Sequence, residues 1–276
     1  MNVFKNKVAI VTGGASGIGK ALCERLARQG AGVVLSDVNE EGLEKTVKSI
    51  KASGGKVWGE RLDVTDYEAF RKHIEDTTAV QGRLDYLFNN AGICTVCEIQ
   101  DLEVEHWHKI IDVDLNGVFY GSLVAYKLMA KQGFGHIVNL SSIEGMAPFP
   151  ANAPYVAAKH AVLGFTQALW VEGAHFGIRA SAVCPGFIKT PIFDVTKYIK
   201  MDREKIMAQY PKKEKLGVTP EKCAEIILKG VAKNKPIIPV TIFAHVFWGL
   251  SRLGPIALMK YMRKDFDKWR HLVRIE

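Results

Sequence analysis

The chain has 276 residues, of which 48% are hydrophobic and 24% charged, with a formal net charge of +8. Length and composition are typical of one large α/β domain that buries a full core. Five cysteines do not form a disulfide framework in a chain this long, and MNVFKNKVAI predicts a first strand, not a signal peptide, so we expect a cytoplasmic protein. The basic residues are scattered and accompany no nucleic-acid motif, which argues against a nucleic-acid partner. Cys94 and Cys97 lack a second cysteine pair or clustered histidines, so no metal site is predicted.

Strand-like apolar runs alternate with helix-period segments along most of the chain. KVAIVTGG is followed by a helix over about residues 17–29, then by GVVLSD and a second helix through Ile50. Each of the later runs KVWGERLDV, LDYLFNNAG, GHIVNLSS and IRASAVCPG also precedes a helix-like segment. This alternation predicts an α/β fold with a doubly wound, Rossmann-type parallel sheet flanked by helices.

The segment TGGASGIG, residues 12–19, joins the first strand to the first helix. Glycines let the backbone turn sharply and approach a pyrophosphate, while the helix N-terminus supplies amide donors and a favourable dipole. Because the loop lies in the first βαβ unit, it predicts a dinucleotide site. The loop residues predicted to bind the cofactor are Gly13, Ser16, Gly17, Ile18 and Gly19.

Asp37 ends the second predicted strand, about 20 residues past the glycines. A carboxylate there accepts hydrogen bonds from the adenosine ribose hydroxyls and repels a 2′-phosphate. Val38 and Asn39 follow it, so no neighbouring cation offsets that repulsion. We therefore predict NAD rather than NADP as the cofactor.

Five motifs occur in order along the chain: TGxxxGxG, the NNAG of residues 89–92, the serine of NLSS, the YxxxK of Tyr155 and Lys159, and the CPG of residues 184–186. Together they resemble the short-chain dehydrogenase/reductase family in its single-domain form, over roughly residues 5–230. The resemblance implies a sheet of about seven strands with the active site at their carboxyl ends. It also implies a homodimer or homotetramer.

Tyr155 and Lys159 share one helix face, because they are four residues apart. A tyrosine pKa of about 10 is too high for a ready general base at neutral pH, and a nearby ammonium favours the phenolate. The resemblance accordingly implies Tyr155 as the acid/base and Lys159 as the residue that lowers its pKa and binds the nicotinamide ribose. It also selects Ser142, thirteen residues before Tyr155, to hold the substrate oxygen; Ser141 is expected to be structural.

One position departs from the family pattern. In VDLNGVF the family has an asparagine where this chain has Asp114; that asparagine bends its helix and helps to hold a water in a proton relay from the lysine. We include Asp114 among the catalytic candidates. An aspartate accepts the same hydrogen bond, but its charge near Lys159 opposes the lowering of the tyrosine pKa. Either the relay tolerates the carboxylate, which we favour, or proton transfer is impaired.

Further cofactor contacts follow only from the resemblance. Asp63 resembles the acid that bonds the adenine amino group, Asn90 lies beside the cofactor, and Thr190 resembles the threonine that contacts the nicotinamide carboxamide. Each of these three could instead be a cap or turn residue. The remaining predicted cofactor contacts are Val64, Pro185, Ile188 and, besides its acid/base role, Tyr155.

The loops expected to build the substrate side are apolar and aromatic. They contribute Ile93, Met146, Phe149, Phe187, Ile192, Phe193 and Tyr198. Such a lining favours a lipophilic small-molecule substrate over a sugar or a small acid, unless half of these side chains simply pack in the core. Glu144 is the nearby carboxylate that could bind a polar group of the substrate.

The chain continues past the end that is usual for the family. We assign residues 1–245 to the dehydrogenase domain and residues 246–276 to an apolar and basic C-terminal extension. The apolar segment from Pro236 to Leu250 is too short to span a membrane and is expected to begin as the last strand. Three roles stay open for the rest of the C-terminal part: a cover over the substrate pocket, a subunit contact, or a helix on a membrane surface.

These observations predict an NAD-dependent oxidoreductase that interconverts a secondary alcohol and a ketone on a lipophilic substrate such as a hydroxysteroid. One alternative is a reductase of an acyl or quinone-like carbonyl. The other is a dinucleotide-binding regulator without catalysis, which only Asp114 supports.

Overall fold

The computed structural model describes residues 2–214 and 217–276. Its strands are β1 (Val8–Thr12), β2 (Gly32–Asp37), β3 (Lys56–Arg61), β4 (Tyr86–Asn89), β5 (Thr95–Val96), β6 (Gly135–Leu140), β7 (Ile178–Cys184), β8 (Lys197–Tyr198) and β9 (Ile237–Pro239). Its helices are α1 (Gly17–Arg28), α2 (Glu40–Ala52), α3 (Tyr67–Gln81), α4 (Val104–Ile111), α5 (Gly117–Gln132), α6 (Ala153–Gly173), α7 (Ile192–Val195), α8 (Arg203–Glu214), α9 (Pro220–Ala232), α10 (Ile242–Leu253) and α11 (Pro255–Val273).

Seven of the strands form one parallel sheet in the order β3-β2-β1-β4-β6-β7-β9. This is the predicted doubly wound, Rossmann-type sheet, so the fold class is confirmed. Alternate residues of β1 pack into the hydrophobic cores on the two faces of the sheet. Val11 packs with Leu22 and Leu26 of α1, whereas Ile10 packs with Phe70 of α3. Because helices cover both faces, β1 is buried along its whole length and carries a continuous apolar run.

The strand order changes direction at β1, which pairs with both β2 and β4. Crossovers on the two sides of this point leave through opposite faces of the sheet and open a crevice at the carboxyl ends of the strands. The glycine loop between β1 and α1 and the NNAG turn after β4 both lie there. The fold therefore brings the predicted cofactor residues to one edge of the sheet.

Helices α4 and α5 are joined by one π-helical turn, Asp112–Asn116. Such single π turns widen a helix locally and are often found at functional sites. Asp114 lies inside this turn, so the bend that the family resemblance implies is present although the asparagine is not.

The C-terminal part begins as predicted with a last strand, β9, and continues as α10 and α11. Helix α10 spans the predicted domain boundary at residues 245–246. Both helices pack on one apolar cluster, to which α10 contributes Phe247 and α11 contributes Leu258. No helix among the described residues is long and apolar enough to cross a membrane.

Candidate active site

Glycines shape the loop between β1 and α1 in two ways. Gly13 and Gly17 have φ values of 66° and 53°, in the left-handed region that favours glycine. A Cβ on Gly19 would lie 2.0 Å from the carbonyl oxygen of Gly13, so only glycine lets α1 approach the loop this closely. Gly19 is buried behind the loop and is not among the residues that line the cleft; its contact with a cofactor stays a prediction.

The N-terminus of α1 opens toward the cleft. Ser16 is the N-cap residue, but its side chain makes no capping hydrogen bond, and the first turn contains no acidic residue. Ser16, Gly17 and Ile18 all line the cleft. The first-turn amides therefore suit an anionic group, and the loop and helix fit the pyrophosphate of a dinucleotide.

Asp37 lies at the end of β2 and lines the cleft beside this loop. One carboxylate oxygen accepts the backbone N–H of Ala15 at 3.0 Å, and the other accepts that of Asn39 at 2.9 Å. Each carboxylate oxygen can accept a further hydrogen bond. The side chain thus fixes the loop against β2 while its charge stays at the cleft.

Asp63 and Asn90, the predicted cofactor contacts after β3 and β4, also form hydrogen bonds with nearby backbone groups. Asp63 accepts the N–H and the hydroxyl of Thr65, and these bonds lower the pKa of the Asp63 carboxyl. Asn90 donates its side-chain amide to the carbonyl oxygens of Thr12 and Gly13, at 2.9 and 3.1 Å. Asp63 and Asn90 therefore act as turn residues and line the cleft as well, next to Val64.

The loop after β7 forms another part of the cleft wall. Pro185, Ile188 and Thr190 line it as predicted. The Pro185 carbonyl oxygen accepts the N–H of Ile143 at 2.8 Å, which ties this loop to the turn after β6. A Cβ on Gly17 would lie 3.3 Å from the Thr190 side chain, so the glycine loop and this loop pack against each other at the edge of the cleft.

Tyr155, Lys159 and Ser142 meet at the centre of this cleft, which has a volume of about 1110 Å³. Lys159 Nζ lies 5.2 Å from the centre of the Tyr155 ring, one helical turn away on α6. The Ser142 hydroxyl accepts the N–H of Glu144 at 3.1 Å, and Ser142 is near enough to Tyr155 to lower the pKa of its phenol. Ser141 instead donates to the Lys159 carbonyl at 2.7 Å and has a structural role, as expected.

The pKa of Tyr155 is raised well above its usual value. Burial is the main cause, and the charges of Asp114 and Glu144 add to it, whereas the bond from Ser142 opposes the rise. Without a further positive charge, the phenol holds its proton. Lys159 is already beside the ring, so an added positive charge, such as that of an oxidised nicotinamide, would favour the phenolate further.

Asp114 lies behind the catalytic residues and does not line the cleft. Its carboxylate is 0% exposed, contacts Lys159 Nζ at 2.8 Å and accepts the N–H of Ile93 at 3.0 Å. Burial raises the pKa of the Asp114 carboxyl, and the Lys159 ammonium opposes that rise. Asp114 therefore holds Lys159 from outside the cleft, and its charge also acts on Tyr155; a direct part in catalysis stays a prediction.

Lys159 has three N–H donors, and two have partners within the described chain. One donates to the Leu140 carbonyl at 3.1 Å and another reaches Asp114. The third is available on the side where Lys159 lines the cleft. This arrangement fits a ribose hydroxyl of a dinucleotide.

A buried polar network supports the strand ends under the site, and it was not predicted from the sequence. Asn89 donates to Asn139 at 2.8 Å and to Ser122 at 3.0 Å, and Asn139 donates to Thr166 at 3.0 Å. The network links β4 and β6 to helices α5 and α6. Asn89, the first asparagine of NNAG, belongs to a motif that the sequence does show, but the other members of the network are far from it in sequence.

The substrate side of the cleft differs in part from the prediction. Ile93, Phe149, Phe187, Ile192 and Phe193 line it as expected. Two predicted side chains do not: Met146 packs in the cluster under α10, and Tyr198 packs beside Met201. Helix α11 instead contributes four lining residues: Met262, Phe266, Trp269 and the acidic Asp265.

Ion pairs fasten α11 over the cleft. Glu98 pairs with Arg270 at 2.9 Å and with Arg274 at 3.1 Å, and Asp101 pairs with Arg274 at 2.7 Å. Lys200 adds a contact to Asp101 at 3.3 Å. The C-terminal extension is therefore a wall of the pocket, which agrees with the first of its three proposed roles.

Comparison with known proteins gives consistent results. The family described as short chain dehydrogenase matches residues 7–198. Cyclohexanol dehydrogenase of Acinetobacter sp. (strain SE19) is 41% identical over 204 residues, which are 72% of this chain and 81% of that protein. Cyclopentanol dehydrogenase of Comamonas sp. (strain NCIMB 9872) is 43% identical over 70% of this chain and 77% of that protein. The putative oxidoreductase SadH of Mycobacterium tuberculosis (strain ATCC 25618 / H37Rv) is 36% identical over 92% of both chains.

Solved structures resemble the whole fold. A short chain dehydrogenase/reductase from Burkholderia phymatum in complex with NAD superposes with a TM-score of 0.78 at 27% identity and covers 97% of this chain and 96% of its own. Levodione reductase superposes with a TM-score of 0.77 at 29% identity and covers 91% of this chain and 99% of its own.

Proposed function

Since the chain belongs to the short-chain dehydrogenase family, we propose that it is an NAD-dependent oxidoreductase that interconverts a bulky, lipophilic secondary alcohol and its ketone. The observation that most directly supports this proposal is that Tyr155, Ser142 and Lys159 line the same cleft. The glycine loop, which suits a dinucleotide, and a set of apolar side chains line that cleft as well. The cytoplasmic location and a homodimeric or homotetrameric state stay predictions.

In the oxidation direction, Ser142 holds the alcohol oxygen and Tyr155 takes the hydroxyl proton. Bound NAD supplies the acceptor for the hydride on the alcohol carbon. Lys159 keeps its positive charge near the phenol and favours the phenolate. In the reduction direction, the protonated Tyr155 donates to the carbonyl oxygen.

The substrate class follows from the walls and the relatives. Aromatic and aliphatic side chains from three loops and α11 form most of the substrate side, which suits a ring system. Two relatives are named for cyclohexanol and cyclopentanol. We therefore propose a cyclic secondary alcohol, of which a hydroxysteroid is the polycyclic candidate.

NADH formation with cyclopentanol, cyclohexanol, a hydroxysteroid and a small linear alcohol tests this substrate class. We expect higher kcat/KM for the cyclic alcohols, because a larger ring buries more apolar surface against the walls. A preference for the small linear alcohol would contradict the proposal.

The cofactor choice rests on Asp37. Among the described residues that line the cleft there is no arginine, and its lysines, Lys109 and Lys159, come from α4 and α6 rather than from the end of β2. The Asp37 charge at the cleft therefore has no basic partner that would accommodate a 2′-phosphate.

Asp37→Asn removes this charge and keeps one acceptor oxygen. Because hydrogen bonds to charged groups contribute about 1.5–3 kcal/mol, we expect kcat/KM for NAD to fall roughly tenfold or more and NADP use to rise. Initial rates with both cofactors measure this. Asp66→Asn is the control, since Asp66 caps α3 outside the cleft. Equal or better use of NADP by the unchanged protein would refute the assignment.

The ion pairs between α11 and the segment around Glu98 and Asp101 give a further prediction. Arg274→Ala removes the contacts to Glu98 and Asp101, so the wall formed by α11 loosens. We expect KM for a cyclic alcohol to rise roughly tenfold, as the loss of a charged hydrogen bond implies, with KM for NAD unchanged. Arg263→Ala on the exposed side of α11 is the control. A rise in both KM values would show that the helix does not act on the substrate alone.

A further inference from the structure

We propose that the outer face of α10 and α11 binds an anionic lipid surface. This face is separate from the cleft, so the inference does not depend on the proposed chemistry. The partner is inferred from three features: a line of exposed apolar side chains on one face of α10, a row of lysines on α11, and the absence of acidic residues on α10.

Helix α10 is apolar on both sides. Ala244 and Phe247 point into the cluster that also contains Leu258 of α11. The opposite side carries an apolar stripe that continues onto the start of α11 and consists of Ile242, Val246, Leu250, Leu253 and Ile256. The four members on α10 follow the helical period and share one face.

The side chains of this stripe are unusually exposed to solvent for a folded domain. Ile242 is 81% exposed and Leu253 is 92% exposed. In the part of the chain that the structure describes, nothing covers the stripe, and a contiguous patch of this kind marks an interaction site.

A row of lysines follows the stripe along the outer side of α11. Lys260, Lys264 and Lys268 are spaced by four residues, so they share one exposed face. Within the described residues none of them forms a salt bridge, in contrast to Arg270 of the same helix and Arg274 directly after it. The segment 242–276 holds seven Lys or Arg against three Asp or Glu.

The two helices place these features on one side of the protein. Both pack on the same cluster with their inner faces, so their outer faces point away from the body. Large aliphatic side chains beside unpaired lysines are the composition of helices that lie at a lipid interface. Apolar side chains enter the acyl boundary while lysines reach the headgroups.

Charge argues against a second copy of this chain on the same face. A twofold contact would bring the stripe against itself and the lysine row of one copy close to that of the other. Like charges would then oppose association, whereas anionic headgroups attract the same row.

Sedimentation with lipid vesicles tests the inference on the whole protein. We expect binding to vesicles of phosphatidylcholine and phosphatidylglycerol in equal parts, and weak binding to phosphatidylcholine alone. Added salt should weaken the binding, since the headgroup attraction is screened. Absence of binding to the anionic vesicles would overturn the proposal.

Two sets of variants locate the surface. Replacing Lys260, Lys264 and Lys268 together by glutamine should weaken binding roughly 100-fold, at about fivefold per lysine; the same three changes to arginine should preserve it. Leu253→Asp should weaken binding at least roughly tenfold, while Val80→Asp, at a site 78% exposed on α3, should not. Unchanged vesicle binding in the glutamine and Leu253→Asp variants would overturn the assignment to this face. A dimer in light scattering that Leu253→Asp dissociates, without vesicle binding by the original protein, would assign the face to a second copy instead.

Discussion

Replacing Tyr155 with phenylalanine is expected to lower kcat for oxidation of a cyclic secondary alcohol by about 10²- to 10⁴-fold, the range that a general acid/base contributes. The change removes one hydroxyl and leaves the ring beside Lys159 in place. NAD affinity should change little, because the glycine loop and Asp37 are untouched. Single-turnover rates and NAD titration by fluorescence measure the two quantities.

Tyr198→Phe is the matched control for this experiment. Its hydroxyl donates to the Phe193 carbonyl at 3.3 Å, and Tyr198 does not line the cleft. We expect its turnover to stay near that of the unchanged protein. If Tyr155→Phe retained full turnover, the proton would pass through another group. If neither the unchanged protein nor the variant turned over any alcohol while both bound NAD, the non-catalytic regulator would be the better account.

The second large effect concerns the buried pair of Asp114 and Lys159. The Asp114 charge contributes to the raised pKa of Tyr155. Asp114→Asn removes that charge, so the tyrosine pKa should fall and the rise of kcat with pH in the oxidation direction should move to lower pH. The asparagine still offers an acceptor to the Ile93 N–H. A pH profile of kcat measures the shift, and an unchanged or more alkaline midpoint would contradict the coupling.

Asp114→Ala tests the structural side of the same pair. It leaves the Lys159 ammonium, 3% exposed as a residue, without its counter-charge. Removing one partner of a buried pair costs about 3–5 kcal/mol, so the free energy of unfolding should fall by that amount. Denaturant titration measures it. The double change Asp114→Ala with Lys159→Met should recover much of the loss, and a loss below about 1 kcal/mol for the single variant would show that the pair carries little stability.

Much of the fold could be predicted because its signals are local. Most strands of the large sheet are short apolar runs, and β2 was predicted with the bounds that the structure has, Gly32–Asp37. The dinucleotide loop and the YxxxK pair are likewise short stretches whose spacing alone fixes their geometry. The family resemblance then supplied Ser142, and the structure brings it to Tyr155.

Other parts of the site depend on contacts between distant segments, and the sequence could not reveal them. Whether an apolar loop residue faces the cleft or the core depends on packing, and Met146 and Tyr198 were assigned to the wrong side. The wall formed by α11 depends on ion pairs that join Glu98 to Arg270 across 172 positions. The small parallel pairing of β5 with β8 also joins two loops without a periodic pattern.

Asp114 departs from the family motif, and its effect on the site could be interpreted only from the structure. The sequence left two outcomes open, a tolerated relay or impaired proton transfer. The structure places the carboxylate at 2.8 Å from Lys159 Nζ and away from the cleft. This geometry favours a carboxylate that holds Lys159 and raises the tyrosine pKa, so its cost should appear in the pH profile rather than as a loss of activity.

The most direct test of the account is the transfer of deuterium from the carbinol carbon of labelled cyclohexanol to NAD. We predict that the unchanged protein forms deuterated NADH and cyclohexanone in equal amounts and that Tyr155→Phe forms both at a rate lower by about 10²-fold or more. Formation of unlabelled NADH, or an equal rate in both proteins, would contradict the assignment of Tyr155 as the acid/base of an NAD-dependent secondary alcohol dehydrogenase.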